Sequence, residues 1–142
     1  MLLTRASEYA LLSLDIIQKS NRPQGAEQLA IKLNIPKSFL AKILQTLAKR
    51  GVLESKKGAH GGFIMARKPS QISIAEIIIA AEGRAPSIFD CSQYSATCPN
   101  GVIGTCNISP FLAKFQYKID KFLQELTLED ILKKWIYIIY HI

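Results

Sequence analysis

The most regular hydrophobic pattern in the chain lies between Lys37 and Arg50, where Leu40, Ile43, Leu44 and Leu47 follow one another at i, i+3, i+4 and i+7. That spacing predicts a helix with one face in a core. Its other face carries Lys37, Ser38, Ala41, Lys42, Gln45 and Lys49, a polar and mostly basic surface. Gly51 follows, at the position past a helix end where a left-handed backbone is easiest. Residues 52–56 and 63–66 then read as two short strands around Lys57-Gly58-Ala59-His60-Gly61-Gly62. A polar-faced helix running into a basic, glycine-tipped hairpin predicts a winged helix-turn-helix.

The remaining elements fit around this pair. Residues 4–19 predict a first helix with Tyr9, Leu12 and Ile16 as its stripe, widened by Leu11 and Leu14. Pro23 and Gly25 break it, and a short helix over 26–33 buries Leu29, Ala30 and Leu33. Asn34-Ile35-Pro36 makes the turn into the third helix. Ser73-Ile74-Ala75-Glu76 is a capping box that opens a fourth helix, ended by Gly83. Residues 86–107 are irregular.

From Ile108 the apolar positions Leu112, Phe115, Ile119, Phe122 and Leu126 alternate in steps of four and three. That alternation predicts a long helix with a long helical partner. The competing expectation is that this helix packs on the chain's own core. Thr127 to Asp130 caps a last helix, with Leu128, Ile131, Leu132, Trp135 and Ile139 on one stripe. The expected class is mainly α with a small β-hairpin wing. Residues 1–85 form the DNA-binding unit, 86–107 a cysteine loop, and 108–142 a dimerisation helix with a C-terminal helix.

Charge sharpens the picture. Residues 1–70 hold 12 Lys+Arg and 4 Asp+Glu, a net of +8; residues 71–142 hold 6 and 7, a net of −1, which together give the overall +7. Between Lys32 and Lys68 the only acid is Glu54. A basic surface on this frame suits double-stranded DNA. The expected contacts are Lys37, Ser38, Lys42, Gln45 and Lys49 on the helix, with Lys56, Lys57, His60 and Gly61 on the hairpin. A module that docks an acidic protein through the same basic face is the alternative from another class. Enzyme activity is not expected, because the two histidines are far apart and no nucleophile–base spacing or phosphate-binding loop is present. With no 18-residue apolar run and no apolar leader, the expected location is the cytoplasm, with no membrane partner.

Cys91, Cys98 and Cys106 fall in the irregular segment, spaced C-x6-C-x7-C. Thiolates are soft ligands for iron–sulfur clusters or zinc. An odd number of cysteines in a reducing compartment argues against structural disulfides. Spacing alone leaves cluster ligation, zinc, a thiol switch and ordinary thiols all open.

The order of pieces adds to this. Leu3-Thr4…Tyr9-Ala10-Leu11, Gln28-Leu29-Ala30, Ile35-Pro36-Lys37-Ser38-Phe39-Leu40 and Gly51-Val52-Leu53-Glu54-Ser55 resemble the Rrf2 family of bacterial transcription regulators. Gly61-Gly62-Phe63, Ala66-Arg67-Lys68-Pro69, Ala80-Ala81-Glu82-Gly83 and Thr127-Leu128-Glu129-Asp130-Ile131-Leu132 extend the resemblance over nearly the whole chain. It implies a homodimer that binds a roughly palindromic operator, most simply as a repressor. It also implies an iron–sulfur cluster, [2Fe-2S] or [4Fe-4S], on Cys91, Cys98 and Cys106, sensing nitric oxide, redox stress or cluster supply. IscR-like members place a histidine three residues after the third cysteine, where this chain has Ser109. NsrR-like members borrow a carboxylate from the partner's first helix, and Glu8 lies at the matching point, with Asp90 as a second candidate. Two departures touch the DNA face: Lys57 stands where arginine is commoner, and Ala41 offers no polar group at mid-helix.

Overall fold

Why the chain turns where it does is visible in its caps. The computed structural model describes residues 3–89, 98, 101 and 106–133. Thr4 caps α1 (Arg5–Lys19) by accepting from the Ala6 N–H at 3.2 Å. After the loop at Pro23 come α2 (Ala26–Leu33) and α3 (Lys37–Lys49), joined through Asn34 in a left-handed conformation. Strands β1 (Leu53–Lys56) and β2 (Gly62–Met65) pair antiparallel, with Leu53 opposite Met65 and Lys56 opposite Gly62. A 3-10 turn, Pro69–Gln71, leads into α4 (Ile74–Glu82), and α5 (Ser109–Glu125) follows the cysteine segment. Residues 128–133 are helical again.

Leu40, Ile43, Leu44 and Leu47 are all buried, as the α3 periodicity predicts. They meet Leu14 of α1, Leu29 of α2, Val52, and Ile77 and Ile78 of α4 in one core. The same cluster takes in Leu123 and Leu128, so the chain after the cysteine segment returns to the core it left. The Ser73 capping box is present in full, and Gly83 ends α4 with φ of 75°.

The α1 stripe differs from expectation. Its buried face is Ser7, Ala10, Ser13, Leu14 and Ile17, while Leu12 is 48% exposed. Small residues win this face because α1 lies close against α4, and both serine hydroxyls are satisfied there. Ser13 donates to the Tyr9 carbonyl at 2.7 Å and Ser7 to Glu82 at 2.6 Å. Burying a hydroxyl costs little once it is bonded.

The α5 stripe also splits. Leu112 and Leu123 are buried, whereas Ile108, Phe111, Phe115 and Phe122 are 40–64% exposed. Phe111 and Phe115 stack with centroids 6.1 Å apart. The helix therefore serves its own core with one edge and leaves a second apolar edge outside. Trp135, Ile139 and His141 lie outside the described residues.

Candidate nucleic-acid interface and cysteine segment

On α3, Lys37, Ser38, Lys42, Gln45 and Lys49 are all exposed on one side, opposite the buried leucines. Lys56, Lys57 and His60 are exposed on the hairpin. Not all of this charge is free for a partner. Lys37 meets Glu27 of α2 at 3.3 Å and Lys56 meets Glu54 at 2.6 Å. Both pairs are solvent-exposed and each is worth little. Among the described residues, Lys42, Lys49 and Lys57 have no carboxylate within ion-pair distance.

The hairpin is held by more than its own two strands. The Gln24 N–H donates to the Phe63 carbonyl at 3.0 Å, and the Phe63 N–H returns a bond to Gln24 at 2.9 Å. The α1–α2 loop thus adds a short third rung to the wing. At Gly62 (φ 147°) a Cβ would lie 2.5 Å from the Gln24 carbonyl carbon, so only glycine allows that approach. At Gly61 a Cβ would lie 2.3 Å from the Lys56 carbonyl oxygen. Both glycines have a steric reason inside the chain, and Gly58, at the tip, faces open space.

Sequence reasoning passed over the two clamps that fix this unit. Arg67, counted earlier as one more basic residue, faces inward. Its Nε donates to the Gly51 carbonyl and its Nη1 to the Gln71 carbonyl, both at 3.2 Å. Its Nη2 reaches Glu76 at 2.8 Å. Burial acts upward on the Glu76 carboxyl, but bonds from Arg67 and Ser73, with the guanidinium charge, hold it below the ordinary 4.5. At the far end of α4, Glu82 accepts from the Thr4 N–H at 3.0 Å, the Thr4 hydroxyl and the Ser7 hydroxyl. Partial burial opposes its ionisation, and those hydrogen bonds outweigh it, so this carboxyl also lies below 4.5. Gln24 was missed as well; only its place before the Gly25 break could have hinted at a backbone rung.

Cys98 and Cys106 are both half-buried, and Cys91 and Asp90 lie outside the described residues. The Ser109 N–H, in the first turn of α5, donates to the Cys106 carbonyl at 3.3 Å. Glu8 is 53% exposed on α1, with Arg5 at 3.4 Å. It borders an apolar groove of about 570 Å3 with Leu11, Leu12, Asp15, Ile131 and Leu132. Among the described residues no three His, Cys, Asp or Glu side chains gather at metal-binding distance. Glu8, Cys98 and Cys106 therefore do not form a common site within one protomer.

Residues 3–134 match the model of the Rrf2 family, described as iron-dependent transcriptional regulators. The chain belongs to the Rrf2 family. It is 30% identical over 133 residues to an HTH-type transcriptional regulator of Aquifex aeolicus, covering 93% of this chain and 92% of that one. Among solved structures it resembles T. potens IscR with a TM-score of 0.69 at 23% identity, over 94% of this chain and 88% of that one. It also resembles CymR, the global cysteine regulator of B. subtilis, with a TM-score of 0.67 at 18% identity, over 94% and 97%. The Rrf2 fold and the DNA-binding regulator class follow, and the family is one of transcriptional regulators rather than enzymes. Among the described residues no helix is long and apolar enough to cross a membrane.

Proposed function

We propose that this Rrf2 chain is a cytoplasmic, homodimeric repressor whose operator binding is controlled by an iron–sulfur cluster on Cys91, Cys98 and Cys106. The observation that carries the reading is the run of three cysteines between α4 and α5 in a chain of an iron-dependent regulator family. Three thiolates are a donor set chemically suited to cluster iron, and two of them, Cys98 and Cys106, are half-buried and so partly shielded from water. When bound, such a cluster would supply iron reactive toward nitric oxide and oxidants.

The chain's own residues account for the DNA side. The exposed face of α3 enters the major groove, where Gln45 and Lys42 read base edges. Lys49 and Lys57 meet flanking phosphates, and the wing lies beside them. The apolar edge of α5, with Ile108, Phe111, Phe115 and Phe122, supports a second copy packed along it. Two copies present two α3 helices to a palindromic operator. Glu8 is half-exposed on α1 and forms no common site with Cys98 and Cys106 of its own chain, and we assign it as the fourth ligand donated across the dimer.

Strictly anaerobic purification, with a visible spectrum and iron and sulfide quantitation per chain, tests this. Near-equal iron and sulfide with a thiolate-to-iron band supports the cluster. Colourless protein that gains no cluster on reconstitution overturns it and leaves a DNA-binding thiol switch or zinc site.

A further inference from the structure

We propose that Arg67 is a positioning residue for DNA reading: its guanidinium sets the end of the recognition helix α3 against α4. The inference rests on the reading of α3 and the wing as the DNA-contacting unit, and it adds how that unit is aimed. Gly51 is the first residue beyond the cap of α3, with φ of 78°. Arg67 stands two residues past the end of the wing's second strand, and the intervening Ala66 N–H donates to the Val52 carbonyl at 3.1 Å. The α3–wing unit thus leaves and re-enters the core at one place, and Arg67 stands there.

A single planar fork makes three bonds there, to Gly51, Gln71 and Glu76. These acceptors belong to the end of α3, the 3-10 turn and the first turn of α4. Lysine has the charge but not the fork, and cannot hold three divergent acceptors in one plane. Glu76 is divided between two duties. Its Oε2 accepts from the Ser73 N–H at 3.1 Å to close the capping box, and its Oε1 accepts from Arg67. An amide in its place has one acceptor oxygen and no charge, so Glu76→Gln weakens the clamp even where it keeps that oxygen toward Arg67. The same α4 is clamped at its other end by Glu82 to Thr4 and Ser7, and then runs out toward the cysteine segment. With both ends tied, a tilt of α4 reaches the end of α3 through Arg67.

The test uses full-length protein, a duplex enriched by the wild type from a randomised pool, and a scrambled duplex of equal length. Arg67→Ala, Arg67→Lys and Glu76→Gln are each expected to lower affinity for the enriched duplex by about tenfold, the scale of a broken coupling between contacting groups. Affinity for the scrambled duplex and the salt dependence stay as in the wild type. Arg67→Ala combined with Glu76→Gln is no weaker than Arg67→Ala alone. If Arg67→Ala weakens both duplexes equally and lowers the salt slope by about one, Arg67 is a direct phosphate contact and the proposal fails. Unchanged affinity for both duplexes also overturns it, as does a Glu76→Gln protein that binds like the wild type, which decides the matter even if the Arg67 variants do not fold. A wild type that enriches no sequence removes the DNA reading and this inference together.

Discussion

The Ser7 hydroxyl donates to the Glu82 carboxylate at 2.6 Å, tying the first turn of α1 to the last turn of α4. Ser7 is fully buried, so its hydroxyl has no water to fall back on. Replacing it by alanine leaves the methylene packing intact but removes a bond to a charged acceptor. Ser7→Ala is expected to lower unfolding free energy by about 2 kcal/mol. Chemical denaturation will show this as a lower midpoint with an unchanged slope.

Acid sensitivity follows from the two carboxylates that clamp the ends of α4. Glu76 and Glu82 both have folded-state pKa values below the ordinary 4.5. The unfolded chain therefore takes up their protons first as pH falls. Their contribution is fully present above pH 4.5 and is lost as pH drops below it, through the folded-state values. Urea unfolding measured down through this window should show a steepening loss of stability in the wild type. Glu82→Gln, having no proton to take up at that site, should start less stable and lose less across the same window.

Gly62 and Gly58 make a contrast inside one hairpin. Both have positive φ, but an added Cβ meets Gln24 backbone at Gly62 and open space at Gly58. Gly58→Ala should cost about 1 kcal/mol of backbone strain and leave DNA binding close to normal. Gly62→Ala should cost more, about 3 kcal/mol, because the clashing atoms are backbone and cannot rotate away. Thermal melts and operator titrations of the two variants, side by side, give the comparison. Equal behaviour would mean the wing is not seated on the Gln24 rung.

Lys42 and Gln45 are expected to act differently on DNA although they share a face. Gln45→Ala should relax sequence preference by about 1–3 kcal/mol at one position. Lys42→Ala, which removes a charge as well as a base contact, should both relax preference and lower the salt slope by about one, whereas Gln45→Ala should leave the slope unchanged. If the wild-type dimer neutralises about eight phosphates, its log–log salt slope should be near −7. A flat salt response would turn attention to an acidic protein as the partner of the basic face.

Cys98→Ala should remove iron and sulfide while leaving helix content and the dimer unchanged, since Cys98 lies outside the buried core. Circular dichroism, size measurement and metal analysis on one anaerobic preparation provide the check. Stoichiometric cluster in that variant would remove Cys98 from the ligand set.

What the sequence made legible was whatever local chemistry dictates. The α3 faces, the Ser73 capping box and the Gly51 and Gly83 stops depend on neighbours a few positions away, and periodicity and capping rules reach that far. Ser7, Arg67 and Glu82 were silent for the opposite reason. Ser7 and Glu82 lie 75 positions apart, and Arg67, though its partners are 4 to 16 positions away, carries as an isolated arginine no sign of which way it faces. The α1 stripe went astray because large apolar residues outrank serine in any hydropathy pattern, while a close helix crossing favours the smaller side chain. In α5 the heptad steps merged two edges, one belonging to the core and one left for a neighbour.

One backbone pairing reaches further than its size suggests. The Leu128 N–H donates to the Ile72 carbonyl at 2.9 Å, and the Ile74 N–H donates to Leu126 at 2.8 Å. These bonds close the stretch between them into a ring, and Leu128 fills the core with no exposure at all. During synthesis, the start of α4 must wait for residue 128 to leave the ribosome before its last backbone partners and core neighbour arrive. The start of α4, though encoded early, is therefore completed late, and a chain ending before that residue would lack both these backbone partners and the Leu128 side chain in the core.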